Sequence, residues 1–274
     1  MEFSGNVRKL TTQLTDVVQY AMPIGDELIP FNELIGKSIS ICYAGEINCI
    51  VCGRKSKKSF AQGYCYPCFS SLPECDSCIM SPEKCHFKEG TCRDAEWGVA
   101  HCMQPHFVYL ARSSGIKVGI TRGTQIPTRW MDQGAVEALP IIKISQRLYS
   151  GQLEVMFKEH ISDRTSWQKM LKGEVAEGSL IEKRDELLEL CSEQIKTLNS
   201  KWASGDCEIL TNESSIHIQY PVTEYPTKVK SFNLDKQPVV EGTLMGIKGQ
   251  YLILDTGVIN IRKYSGYHLS FSVN

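Results

Sequence analysis

Residues 106–161 read HFVYLARSSGIKVGITRGTQIPTRWMDQGAVEALPIIKISQRLYSGQLEVMFKEHI, and the order of elements in this stretch decides the fold class. HFVYLAR is a short apolar run rich in β-formers, Ser113-Ser114-Gly115 supplies a turn, and IKVGIT reads as a second strand, so a hairpin is expected. Pro127 suits a first helical turn, and TRWMDQG reads as a short helix stopped at Gly134. ALPIIKIS is a third strand. SGQLEVMFKEHI reads as a helix that Ser150 could cap, with Leu153, Met156, Phe157 and His160 near one face. The expected order is β-β-α-β-α.

Immediately upstream lie most of the cysteines. Ten of the twelve fall between Cys42 and Cys102. Cys49/Cys52 and Cys65/Cys68 are two CxxC pairs separated by a short loop. Two-residue spacing lets both thiolates of a knuckle face one ion, and a second pair closes a tetrahedron. The set resembles a zinc ribbon, and Gly53 and Gly63 sit where knuckle turns want positive φ. Four thiolates close the shell, so the role is scaffolding. A second set, Cys75, Cys78, Cys85 and Cys92, is less regular. It suits zinc or an iron–sulfur cluster, and His86, His101, Cys102 and His106 are each near enough in sequence to replace one ligand. Cys42, Cys191 and Cys207 are isolated and read as small, semi-buried hydrophobes. Arg54, Lys55, Lys57 and Lys58, between the first two knuckles, form either a nucleic-acid contact or a solvated loop.

The rest of the chain is read outward from these two blocks. Residues 1–48 form a β-rich segment in which Ile39, Ile41 and Tyr43 alternate with Ser38, Ser40 and Cys42. Residues 49–105 are the cysteine-rich metal-binding module, and 106–172 the β-β-α-β-α core. A helical linker covers 173–206. Thr165 with Gln168, and Ser179 with Glu182, read as capping boxes. The helix over about 180–200, allowing for fraying, has an apolar side of Leu180, Leu187, Leu188, Ile195 and Leu198 and is otherwise acidic. Residues 207–274 form a C-terminal β-module, with the N-terminal strands as candidates to complete it. The expected fold class is α+β: a zinc-ribbon-like module, the mixed core and flanking β-rich segments.

Within the core, Phe107-Val108-Tyr109 followed by Lys117-Val118-Gly119-Ile120-Thr121 resembles the paired signature of the GIY-YIG nuclease superfamily, in the variants whose second motif begins with Lys. Arg129 falls on the short helix and Glu154 on the following one, where the superfamily keeps its arginine and its metal-binding glutamate. The resemblance covers about fifty residues. It implies that Tyr109 and Lys117 act near the attacking water, Arg129 braces phosphate, and Glu154 holds magnesium or manganese. Arg122 joins the basic loop as a nucleic-acid contact. Three departures stand out: Phe107 replaces a glycine, Lys117 replaces a hydroxyl, and Gln133 stands where many members have histidine. Glutamine cannot act as a base at neutral pH. The wider chain, with KVGITR, PTRWMDQGA and DRTSW around the cysteines, resembles a bacterial family of unknown function.

Composition narrows the partners. A net charge of −1 gives no global pull toward nucleic acid, so any contact must come from local patches. No apolar run approaches the roughly 20 residues of a membrane span, and MEFSGNVRKLTTQLTDVVQY lacks the layout of a secretory signal. A cytoplasmic location follows as the expectation, and there clustered CxxC pairs favour metal over disulfides. No glycine-rich phosphate loop, GxSxG or HExxH is present, and no small-molecule cofactor is evident. Two readings stay open: a divalent-metal-dependent endonuclease with structural zinc sites, or an inactive zinc-containing nucleic-acid-binding or adaptor protein.

Overall fold

Val108 and Leu110 point to one side of their strand, Tyr109 and Ala111 to the other, and all four are buried. Successive strand residues alternate faces, so the sheet that carries them is covered on both sides. In the computed structural model, which describes residues 1–273, the covers come from distant parts of the chain. Asn274, the last residue of the expected C-terminal segment, lies outside the described residues.

The chain begins with β1 (Glu2–Asn6), β2 (Thr11–Gln13), β3 (Gln19–Ile24), β4 (Glu27–Pro30) and β5 (Ser38–Ile47). The cysteine-rich segment holds only short helices, α1 (Tyr66–Ser71), α2 (Ser77–Met80) and α3 (Ala95–His101), joined by 3-10 turns. Next come β6 (His106–Arg112), β7 (Ile116–Arg122), α4 (Thr128–Asp132), β8 (Glu137–Ile144) and α5 (Arg147–Phe157). Helices α6 (Trp167–Leu171), α7 (Leu180–Leu190) and α8 (Ser192–Asn199) precede β9 (Cys207–Ile209) and β10 (Ile216–His217). The last strands are β11 (Val239–Lys248), β12 (Tyr251–Leu254), β13 (Gly257–Asn260) and β14 (Tyr267–Val273). The fold is mixed α+β.

A six-stranded sheet runs in the order β1-β14-β5-β11-β12-β13, so the first and last strands are neighbours. Glu2–Asn6 pair antiparallel with His268–Ser272. The second sheet runs β10-β8-β6-β7, with β9 also on β8. On one face of it, Val108, Leu110 and Leu139 pack with Leu153 and Phe157 of α5 and Leu180 and Leu187 of α7. On the other, Tyr109, Ala111 and Trp130 join a cluster with Leu10, Tyr220, Ile247 and Leu252. Each such aliphatic side chain contributes about 1.5–3 kcal/mol on burial. Strands β2, β3 and β4 form a third small sheet.

Several boundaries differ from the sequence reading. Helix α5 starts three residues before Ser150, which lies inside it and donates its hydroxyl to Arg147 O (2.7 Å) instead of capping. Ser166, one residue after Thr165, caps α6 by accepting from Lys169 N–H, while the Thr165 hydroxyl meets Ser113 (3.0 Å). Ser179 does cap α7, accepting from Glu182 N–H (3.3 Å). The long helix expected to 200 is two, broken at Cys191, where the backbone leaves the helical basin (ψ 8°). Strands β9 and β10 pair with the core strand β8, whose outer edge would otherwise expose unpaired N–H and C=O groups.

Candidate functional site

The first cysteine set grows out of the end of β5. Cys49 N–H donates to Arg54 O (2.9 Å) and Gly53 N–H to Cys49 O (3.0 Å), closing a knuckle in which Gly53 has φ 70°. Ile50 N–H donates to Gly63 O (2.9 Å) and draws the second knuckle alongside, where Cys65 precedes α1 and Cys68 lies within it. The sulfurs of Cys49, Cys52, Cys65 and Cys68 lie within 4.8 Å of one another, and Cys52 and Cys65 are 3.7 Å apart. A zinc–sulfur bond of about 2.3 Å in a tetrahedron places thiolates about 3.8 Å apart. The four cysteines could therefore hold a metal such as zinc. Burial opposes a thiolate at Cys49, but backbone N–H groups of Cys52, Cys65 and Val51 outweigh it and hold the thiol at about 6.

The basic loop belongs to this centre. Arg54 leans on Cys52, and Lys55 pairs with Glu46 at 2.9 Å, while Lys57 and Lys58 are exposed. None of the four lines the cleft described below.

The second set is regrouped by the fold. Cys78, Cys85 and Cys92 line a small cavity together with Cys102, which caps the C-terminal end of α3. Cys75 is not on its wall; the charged groups around it are Glu74, Arg93 and Cys49. Cys75 belongs to neither set of potential ligands whose atoms lie within 4.8 Å of one another among the described residues. Of the histidines, only His86 lines this cavity, and the buried Nε2 of His106 has no partner among the described residues. His86 meets Thr91 through Nδ1 (2.8 Å) and faces Asp76 through Nε2 (3.4 Å). His101 Nδ1 meets Trp97 O (2.9 Å), and His106 Nδ1 meets Gln104 O (2.7 Å). Burial holds His106 down at about 4, so it is neutral at pH 7.

Tyr109, Lys117, Arg129 and Glu154 all line one cleft of about 580 Å³. Tyr109 arrives on β6 and Lys117 on β7, Arg129 on α4 and Glu154 on α5. Gly119 makes room: a Cβ there would stand 2.7 Å from the Tyr109 hydroxyl oxygen, so only glycine lets that ring lie across β7. The Tyr109 hydroxyl donates to Gln133 Oε1 (3.0 Å), and its ring meets Trp130 edge-on at 5.9 Å. Burial raises the Tyr109 pKa above the usual phenol value, against the lowering effect of Arg129. Burial, aided by Arg129, lowers Lys117 to about 8. Burial raises Glu154, while Lys158, 3.4 Å away, pulls it back.

The charge on the cleft is lopsided. Lys117, Arg122, Arg129, Arg147 and Arg262 line it and form no ion pair within 4.0 Å among the described residues. Three of its four acids are neutralised: Asp132 holds Lys9 at 2.5 Å, and Lys158 lies 3.4 Å from Glu154 and 3.2 Å from Asp163, while Glu74 has no ion pair among the described residues. Arg129 is thus neither bridged to Glu154 nor stacked on Trp130. Three parts of the chain build the walls: the core, the cysteine-rich segment through Ile79, Pro82 and Trp97, and the β-rich ends through Lys9 and Arg262. Of the sequence candidates, the cleft collects Tyr109, Lys117, Arg122, Arg129 and Glu154. Lys9, Arg147, Lys158, Asp163 and Arg262 were not singled out in the sequence, and no local motif marks them.

No helix among the described residues is long and apolar enough to cross a membrane. No curated protein and no solved structure matches the chain. The resemblance to a family of unknown function is borne out: the chain belongs to the family described as "Protein of unknown function (DUF2797)", which matches residues 36–269.

Proposed function

We propose that the protein is a divalent-metal-dependent nuclease with a GIY-YIG-like core, acting on nucleic-acid phosphodiesters in the cleft. The observation that carries this reading is the meeting of four arginines free of ion pairs, Arg122, Arg129, Arg147 and Arg262, with Tyr109, Lys117 and Glu154 in one cleft. Unneutralised cations in a walled groove attract a polyanion and focus its phosphates. Trp97 and His101, stacked at 4.2 Å on the same wall, add an aromatic platform suited to a nucleobase.

The roles follow from the chemistry of each side chain. Arg129 presents a planar fork to the non-bridging phosphate oxygens and stabilises the charge that builds there. Tyr109 stays a phenol, since burial raises its pKa, and so it positions and donates rather than abstracting a proton. Lys117, at about 8, is the base available near neutral pH. A water oxygen bonds to phosphorus, its proton passes to Lys117, and the bond to the leaving sugar oxygen breaks as that oxygen takes a proton from solvent. Glu154 and Asp163 are hard oxygen donors, and the ammonium of Lys158 marks the cation position they share. They fit magnesium or manganese once Lys158 swings aside. Such an ion would supply charge neutralisation at the phosphate. The first cysteine set, holding zinc, braces the scaffold.

The Lys158 contact to Glu154 favours a second reading, a protein that binds nucleic acid without cutting it. A cleavage assay with magnesium or manganese on labelled structured and single-stranded DNA and RNA, with binding followed on the same samples, separates the two. Cuts that fall about 10²–10³-fold in both Arg129→Ala and Glu154→Ala are the expected result. Binding without cuts, unchanged by Glu154→Ala, supports the adaptor. Neither binding nor cleavage overturns both.

A further inference from the structure

We infer that Cys78, Cys85, Cys92 and Cys102 are the four ligands of an iron–sulfur cluster, distinct from the zinc-type centre formed by the first set. This inference stands without the nuclease reading. The four thiols line one cavity, and its remaining walls are Pro73, Asp76, His86, Phe87, Trp97 and Gly98. Four thiols gathered in a largely closed chamber offer soft ligands and little water, which is the environment a cluster uses. Their spacing separates them from the first set. Those four sulfurs fall within 4.8 Å of one another, whereas Cys78, Cys85, Cys92 and Cys102 do not form such a group among the described residues. One zinc ion needs its thiolates at a common bonding distance. A polynuclear cluster holds its thiolates further apart than one ion does.

The competing ligands on the cavity wall, Asp76 and His86, are engaged with each other and with neighbours. Asp76, Cys78 and His86 come within 4.8 Å of one another, but the Asp76 carboxylate holds Arg93 at 3.0 Å and faces His86 at 3.4 Å. A metal cation beside Asp76 would sit against the guanidinium of Arg93. Cys75 lies off the wall.

The cluster would also hold one side of the cleft. Arg147 N–H donates to Cys102 O (2.8 Å), and Arg147 Nη2 donates to Ile79 O (2.7 Å), next to Cys78. Arg147 and Ile79 both line the cleft.

The test is reconstitution of the full chain with ferric iron, a thiol reductant and sulfide under argon, followed by iron, acid-labile sulfide and zinc counts and the visible spectrum. Expected are iron and sulfide in equal amounts, one zinc per chain, and a brown colour lost in Cys102→Ser and kept in Cys75→Ser. Colour lost in Cys75→Ser but kept in Cys102→Ser overturns the ligand set. Two zinc ions per chain without iron, in protein isolated anaerobically, overturn the cluster. X-ray absorption at the iron edge of the unaltered protein covers the case of a variant that does not fold. An all-sulfur shell supports the inference and nitrogen in the shell defeats it.

Discussion

The two cysteine groups use the same residue at similar spacings, yet they are fastened to different parts of the molecule. The first is tied to the six-stranded sheet. Asn48 N–H donates to Gly266 O (2.7 Å), Asn6 Nδ2 to Asn48 Oδ1 (2.8 Å), and Arg8 to Ile50 O (2.9 Å). The second is tied to α5 of the core, where Arg147 bonds Ile79 O and Lys88 Nζ donates to Tyr149 Oη (2.8 Å). One group closes a loop beside the β-sheet, and the other makes a wall of the cleft. Ligand chemistry sets what a cysteine group can hold, and its attachment sets what the holding does for the rest of the protein.

The sharpest way to break this comparison is to remove the first group. Structural zinc in small modules is bound with an apparent free energy of about 10–16 kcal/mol, which is folding free energy for the segment around it. With zinc in the first set as proposed, its chelation, or Cys49→Ser, should therefore open residues 49–68 to hydrogen exchange and protease. On the proposed function, the cleft should keep most of its oligonucleotide binding, because none of its lining residues comes from that segment and only Arg262 is held by it, through Gln62 Oε1 (2.7 Å). If binding disappears together with the zinc, the two groups form one cooperative unit and the comparison fails.

A smaller effect is expected where the second group docks. At Gly151 of α5, a Cβ would stand 2.5 Å from Glu83 N and 2.7 Å from Pro82 Cβ, so the Pro82–Lys84 turn packs directly on the helix backbone. Gly151→Leu overpacks this seam, at about 1–3 kcal/mol. The expected result is retained zinc at the first set, a lower melting temperature, and weakened oligonucleotide binding as Pro82 and Ile79 leave the wall. Unchanged binding in a folded Gly151→Leu protein would remove the second group from the cleft.

Much of the core was legible because its signals are local. The β-formers in HFVYLAR and IKVGITR, the turn between them and the apolar face of α5 each follow from neighbouring residues. The first cysteine set was legible for the same reason, since each CxxC knuckle is a short-range geometry. Cys102 was harder. Spacing counts residues along the chain, but α3 carries Cys102 back to Cys78 and Cys85 through space. The start of α5 was misread because Gln146 makes no side-chain cap, while Ser150, the residue type that usually caps, bonds within the helix. Period-two alternation marked Ile39 and Ile41 as one buried face but says nothing of which strands lie beside them. Those are β14 and β11, chosen by long-range register. Lys9 and Arg262 reach the cleft only through that pairing, so no reading of nearby residues could find them.

The finest test concerns the base in the proposed cleavage. Lys117 is faced by Arg129 of α4, Glu154 of α5 and Asp163 beyond it; burial and Arg129 disfavour its ammonium, and the two acids favour it. Its value of about 8 lies below the ordinary 10.5, so the neutral amine, the form that accepts a proton, fills in as pH rises through 8. With the amine as base, cleavage should rise about tenfold per pH unit, or about 1.4 kcal/mol, below that value and level off above it. Lys117→Arg should abolish the rise, because a guanidinium stays protonated throughout this range. The two cysteine groups should separate again here. Stripping the first should leave the midpoint in place, while Gly151→Leu, by admitting water beside Lys117, should move it toward 10.5. A midpoint that shifts equally in both would trace the lowered value to the fold as a whole rather than to the wall that the second group builds.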